Sequence, residues 1–334
     1  ADVILGLGTR FAEADSSSWY RGVTFDPDHT EFLQIDIDPM EIGRNYPVSI
    51  GAIGDLKLGL KQILEEVKKI CPEGKKNPEL RAKIAKAKKA FKESNVAIST
   101  DGRFPMTPQR ILHDVKAVVP EDAHIFTDVG WNKNGVAQQF DVNVPGTIHH
   151  SSGLATMGFG ASAVLGGKLA APDKVCLTLT GDGGFGVNPT CLATAVEQGI
   201  ACTWVVMNNS AFGTIAGLEN GNYGTKFGTV FQTPDGKSYS PSWAGVAKAY
   251  GVESICVQSA DEFLPAMKKA MAANKEGRPF LVEAPMENIV VPTPGCWNIN
   301  DIYSPSALVK EGKLVKDEKG RFVAPNHAKS HKGK

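Results

Sequence analysis

Thr178-Leu179-Thr180-Gly181-Asp182-Gly183-Gly184-Phe185, followed further on by Met207-Asn208-Asn209-Ser210-Ala211, decides the fold. An apolar run at 175–179 leads into Gly181-Asp182, a helical pattern at 190–198 crosses back, and a second apolar run at 201–207 leads into Asn208-Asn209. Crossovers between parallel strands are almost always right-handed, so both motifs emerge at the carboxyl edge of one sheet, where ligands of such folds bind. A carboxylate and an amide oxygen there are hard ligands suited to Mg²⁺, which shares its shell with phosphate oxygens. The glycines let backbone N–H groups approach an anion. A lone Gly-Asp-Gly is common in turns; the pair, with a helix and an apolar strand between, is far more specific and implies a Mg²⁺-bridged diphosphate.

Outward from that pair the same alternation continues. Strands are expected at 124–127, 252–257 and 279–283, and helices at 108–118, 158–169, 243–250 and 260–273. Strands alternating with helices predict a parallel sheet covered on both faces. Ahead of it, strands at 3–7 and 32–37 end in Gly8-Thr9-Arg10 and Asp38-Pro39, and an amphipathic helix spans 56–69. Two strands are too few for a finished mononucleotide-binding half. The Lys-rich stretch 74–94 reads as a solvated linker helix. The α/β chain therefore divides into the last part of a Rossmann-like domain (1–72), a charged linker (73–104), a complete doubly wound domain (105–290) and an irregular tail (291–334).

With 36 Lys+Arg against 36 Asp+Glu in 334 residues, there is no general electrostatic attraction for nucleic acid or an anionic membrane. The longest apolar stretches fall far short of a transmembrane helix, so a soluble chain is expected, and its cysteines point to the reducing cytoplasm. Six cysteines show no CxxC pair and no His spacing that suggests zinc; Cys176, Cys191 and Cys202 fall in segments that look buried. The opening Ala1-Asp2-Val3-Ile4 reads as a strand already under way, so the expectation is a chain cut from a longer one, or one subunit of a split enzyme.

The paired motifs, together with Gln34-Ile35-Asp36-Ile37-Asp38-Pro39, Glu41-Ile42-Gly43-Arg44 and Gly153-Leu154-Ala155-Thr156-Met157-Gly158-Phe159-Gly160, resemble the thiamine-diphosphate-dependent enzymes, in their acetolactate-synthase-like branch. The resemblance covers residue 1 to about 290. It implies Asp182, the side-chain oxygen of Asn209 and the carbonyl of Ala211 as Mg²⁺ ligands, with amides at Gly183 and Gly184 on the diphosphate. Met157 would wedge under the thiazolium, and the Ala155 carbonyl and Met157 N–H would meet the aminopyrimidine. Val129, Gly130, Gly181, Phe212 and Gly213 complete that cofactor set, and Trp131, Asn132 and Lys133 lie beside it. Arg10, Asp36 and Asp38 would hold the adenosine part of FAD or ADP, whose presence the resemblance leaves open. His150, next to His149, is a candidate proton shuttle, and Pro292 to Asn298 a candidate lid or surface segment.

The implied activity is carboligation: a 2-keto acid loses CO₂ and the remaining fragment joins a second carbonyl, in a homodimer or homotetramer. The activating glutamate comes, in the family, from a pyrimidine-binding domain of another subunit, and nothing here matches that segment, so this chain alone is expected to be inactive. Two departures stand out. Acetolactate synthases carry a Trp nine residues after the metal-binding Asn, where this chain has Leu218, and Gly160-Ala161-Ser162 replaces a usual Gly-Leu-Pro ending. The alternatives are a 2-keto acid decarboxylase or lyase of the same family, and a non-catalytic half needing a partner chain. A Rossmann dehydrogenase is disfavoured, because Gly6-Leu7-Gly8-Thr9 lacks the third glycine of a dinucleotide loop.

Overall fold

The computed structural model describes residues 1–13, 16, 19–288 and 305–328, and the chain divides into two units. The first combines residues 1–85 with the described part of the tail. Its sheet is parallel, in the order β1 (Val3–Leu7), β2 (Glu31–Asp36), β3 (Ile50–Ile53). Helix α1 (Leu56–Ile70) follows, capped by Asp55, whose carboxylate accepts from the Leu58 amide at 3.0 Å. The core is small and aromatic: Phe11, Phe32 and Tyr46 are buried with Phe25 against them, and the Phe32 and Tyr46 rings stack at 5.1 Å. No residue of α1 is buried. The tail contributes a short helix, Pro305–Lys310, and an antiparallel pair, Val315–Lys316 with Phe322–Val323, where the sequence alone suggested irregular chain. The segment Pro292 to Asn298 lies outside the described residues.

Helix α2 (Pro78–Ser99) is the charged helix expected as a linker. It extends five residues beyond the Lys-rich run, burying Asn95 and Ser99 at its carboxyl end.

The second unit, 86–295, holds a six-stranded, all-parallel sheet. Its strands are β4 (His124–Thr127), β5 (Ile148–His150), β6 (Cys176–Gly181), β7 (Thr203–Asn208), β8 (Glu253–Cys256) and β9 (Phe280–Pro285), in the order β5-β4-β6-β7-β9-β8. Helices α3 (Pro108–Val118), α4 (Trp131–Gln139) and α10 (Ala260–Lys275) cover one face, packing Ile111, Leu112, Val136, Phe263 and Met267 against Leu177, Leu179 and Val205. Helices α5 (Phe159–Ala170), α7 (Cys191–Glu197) and α9 (Trp243–Ala249) cover the other, around Trp204, Phe185 and Leu192. Between β6 and β7 lies a single turn of helix, α6 (Asp182–Phe185), and after β7 comes α8 (Gly213–Tyr223). From β4 the chain moves outward to β5 and then returns across to β6, so the strand order reverses between β4 and β6. That switch point opens a crevice at the carboxyl edge.

Candidate functional site

Four strand ends supply the crevice. β4 delivers Asp128-Val129-Gly130, β6 delivers Asp182, β7 delivers Asn209 and Ala211, and β9 delivers Met286. Gly181 is in register with Met207, so the two motifs of the sequence emerge side by side. The cleft is lined by Val129, Gly130, Trp131, Asn132, Met157, Gly181, Gly183, Gly184, Asn209 and the stretch 211–215, with Met207 and Met286 behind.

The two asparagines of the second motif have different jobs. Asn208 is turned into the fold: its amide nitrogen donates to Glu283 Oε1 at 2.8 Å, while Glu283 Oε2 accepts from the Ala244 amide at 2.8 Å. Its backbone carbonyl accepts from Met286 N at 2.7 Å. Asn209 is thereby pushed outward, over a residue at positive φ, Ser210 (+51°). Its Nδ2 donates to Asn288 Oδ1 at 3.2 Å, and its Oδ1 faces Asp182 Oδ1 and the Ala211 carbonyl, each 3.0 Å away.

Three oxygens converging with no proton between them repel one another. Turning the amide over would replace both contacts with N–H···O hydrogen bonds, so the Asn209 side chain meets the Asp182 carboxylate and the Ala211 carbonyl whichever way the amide lies, and with its oxygen turned inward the three oxygens offer a ligand set for a cation. Adjacent ligands of an octahedral ion with bonds of about 2.1 Å lie about 3.0 Å apart, so the spacing fits Mg²⁺. The second oxygen of Asp182 is buried without a hydrogen-bond partner, another acceptor aimed at an unmet need. Burial pushes the Asp182 carboxyl up to about 6, against backbone N–H groups of Asp182, Asn209, Gly183 and Ala211 that favour the charged form.

The glycines are required by close approach. A Cβ on Gly183 would lie 2.5 Å from the Phe212 ring and 3.4 Å from Met157 Cε. Met157 thus projects its thioether end toward the start of α6. Its loop is held by Asp128, fully buried, whose Oδ1 accepts from Gly158 N at 3.2 Å and Val129 N at 2.9 Å and whose Oδ2 accepts from Gly160 N at 2.9 Å. Ala155 in this loop is left-handed, at φ +49°, a strain that the surrounding bonds maintain. The Asn132 amide donates to the Val129 carbonyl at 3.1 Å, and its buried oxygen has no hydrogen-bond partner.

Asp182, Asn209, Ala211, Met157, Gly183, Gly184, Val129, Gly130, Gly181, Phe212 and Gly213 are therefore brought together around one cleft. Lys133 and Ala155 sit on the flanking elements. His150 is exposed at the carboxyl end of edge strand β5, in register with Thr127, and is not among the lining residues. Its neighbour His149 is structural, bonded to His124 at 2.9 Å and stacked on Phe126 at 4.5 Å. Arg10, Asp36 and Asp38 gather at the carboxyl edge of the first unit's sheet. Asp36 Oδ1 accepts from the Asp38 amide and Asp38 Oδ1 from the Met40 amide, both at 2.9 Å, so each carboxylate closes a local turn. Sequence reading missed Asp128, Asn208 as an anchor, and Glu283. An acid between a strand and Val129-Gly130 was the available signal for Asp128.

A parallel α/β sheet with an oxygen-lined crevice at its switch point has the architecture of a domain that binds a phosphorylated ligand at the carboxyl edge. Residues 128–284 match the family described as thiamine pyrophosphate enzyme, C-terminal TPP binding domain, and residues 1–63 match its central domain. An acetolactate synthase large subunit, named as probable, from Methanocaldococcus jannaschii is 31% identical over 323 residues, covering 95% of this chain and 52% of that protein. Another from Methanococcus aeolicus is 28% identical, covering 85% and 47%. A sulfoacetaldehyde acetyltransferase from Roseovarius nubinhibens is 29% identical, covering 85% and 49%. The chain belongs to the thiamine-pyrophosphate-dependent enzymes, in the acetolactate-synthase-like family. It spans about half the length of these curated relatives. Among the described residues no helix is long and apolar enough to cross a membrane.

Proposed function

We propose that this chain supplies the diphosphate-binding half of a Mg²⁺-dependent carboligase acting on a 2-keto acid. The observation that carries this reading is the meeting of Asp182 Oδ1 and the Ala211 carbonyl at the end of the Asn209 side chain, each 3.0 Å from it, beside a glycine-lined wall. Asp182, Asn209 and Ala211 would hold Mg²⁺, and the Gly183 and Gly184 amides would meet the diphosphate. When bound, thiamine diphosphate supplies the electron sink for the pair released by decarboxylation. The Met157 side chain props the cofactor from the loop that Asp128 fixes, and the Ala155 carbonyl and Met157 N–H orient its aminopyrimidine. Trp131, Phe212 and Met286 keep water from the reacting face.

In this reading the proton at the aminopyrimidine is handled by a glutamate from a pyrimidine-binding domain, supplied by further chain or another subunit of a homo-oligomer. His150 serves as a proton shuttle only once such a partner closes the space around it. The edge at Arg10, Asp36 and Asp38 is the place for an adenosine ribose of FAD or ADP. The buried Cys176, Cys191 and Cys202 thiols suit a reducing, cytoplasmic setting.

Transfer of the fragment to an acceptor other than a keto acid is the second reading. Leu218, on α8, replaces the large ring that shapes the second-substrate pocket of acetolactate synthases, and one of the similar proteins is an acetyltransferase by name. Incubating the complete enzyme with pyruvate or glyoxylate and analysing the products tests the proposal. A C–C coupled product supports ligation, and free aldehyde alone contradicts it.

A further inference from the structure

A second cluster of ligating side chains lies in the first unit. Asp26, on the turn before β2, stands between two imidazoles: His29 Nδ1 is 2.9 Å from its Oδ2 and His327 Nε2 is 3.0 Å from its Oδ1. One donor atom from each of the three lies within 4.8 Å of the others. On its far side, His327 Nδ1 is 2.9 Å from Asp28 Oδ2, which also accepts from Arg21 Nε at 3.1 Å. Only 6% of the His327 side chain is exposed, and its Nε2 faces the Asp26 carboxylate with no other partner.

The electrostatics of this arrangement are specific. A carboxylate at Nδ1 fixes the proton there and leaves a lone pair on Nε2. That lone pair confronts the Asp26 carboxylate, and only a cation or a second proton between them relieves the repulsion. Two imidazole nitrogens and a carboxylate oxygen, with a further carboxylate behind one imidazole, make a donor set suited to zinc. Space is also provided: a Cβ on Gly22, at φ +79°, would lie 2.7 Å from His327 Nε2. The setting favours a staple, because the unit's core rests on a few aromatic rings and small cores gain most from a structural metal.

We infer that Asp26, His29 and His327 form a binding site for a divalent ion of the zinc class, which fastens the tail to the turn before β2. One Asp26 oxygen, His29 Nδ1 and His327 Nε2 coordinate the ion, water takes the fourth position, and any proton on Nε2 leaves to solvent. Residue spacing hid this site, since its members come from opposite ends of the chain.

The test is a titration of the metal-stripped full chain with Zn²⁺ in excess Mg²⁺, which keeps the Asp182 cleft out of the reading. One equivalent should bind, with a dissociation constant of about a micromolar or tighter. His29→Asn, at an exposed position that leaves folding intact, should weaken binding at least ~10-fold. Asp28→Asn, which touches only the far nitrogen, should weaken it by about tenfold. Asp182→Asn should leave it unchanged, and Co²⁺ in place of Zn²⁺ should give the visible absorption of a four-coordinate site. Absence of stoichiometric Zn²⁺, or binding that survives His29→Asn and His327→Gln unaltered, overturns the inference.

Discussion

Asp182 carries two opposing demands, since burial favours its neutral form and the proposed cation needs its charged one. Its folded pKa, about 6, is raised above the ordinary value of 3.8. The neutral carboxyl therefore contributes stability that is fully present below about pH 4 and lost as the pH rises through 6. Without metal at pH 8 the charged group destabilises the fold by on the order of 3 kcal/mol. Asp182→Asn should therefore be more stable than the unmodified chain at pH 8 and equal to it near pH 4, with Mg²⁺ narrowing the gap at pH 8. Denaturant unfolding at both pH values checks this, and a difference independent of pH contradicts it. Asp128 acts by geometry instead. Asp128→Ala strips three backbone amides of their acceptor, which should lower stability by roughly 3 kcal/mol or more and loosen the Met157 loop. An unfolding midpoint within error of the original would show that the loop is held otherwise. Asp182 and Asn209 were legible in the sequence because their chemistry is stereotyped. Asp128 was not, since one buried acid looks like any other until its amide partners are placed.

Among the elements, legibility followed burial. β6, β7 and β9 are buried on both faces because helices cover both, and Glu283 is the one charged residue in their sequences. β3 is exposed at all four residues and contains Gly51, so no pattern announces it. α4 contains Gly135 and α8 contains Gly217 and Gly221, residues that read as breakers. In α4 the glycine exists for packing: a Cβ there would lie 2.4 Å from Leu112 Cδ1 of α3. The same principle governs α5, where Gly160 and Gly167 let the helix lie close to β4. A Cβ on Gly167 would come within 2.1 Å of the Phe126 ring. Gly167→Ala should cost roughly 1–3 kcal/mol despite alanine's better helix propensity, and Phe126→Leu in the same chain should recover part of it. Unfolding measurements on the two single variants and the double variant decide the matter; a stabilised Gly167→Ala would contradict the close approach.

On the scale of the whole molecule, the two units are unequally finished. The second has two extensive cores on either side of its sheet, whereas the first leaves Val3, Ile50 and Ile53 on its strands and Leu58, Leu64, Val67 and Ile70 on α1 exposed. Exposed apolar surface of that kind drives association. The chain on its own should therefore bind an apolar dye and self-associate, and Leu64→Lys with Val67→Glu should reduce both while leaving cofactor binding intact. A dye-inert monomer would contradict this. That the first unit has few strands was visible in the sequence; the tail's return to it was not, because contacts between distant segments leave no periodicity. The central proposal is the cation at the carboxyl edge. Calorimetric titration of the chain with thiamine diphosphate, with and without Mg²⁺ and for Asp182→Ala, tests it most directly. Binding that requires Mg²⁺ and weakens by at least ~10-fold in the variant is the predicted result; equal affinity in all three titrations would contradict it.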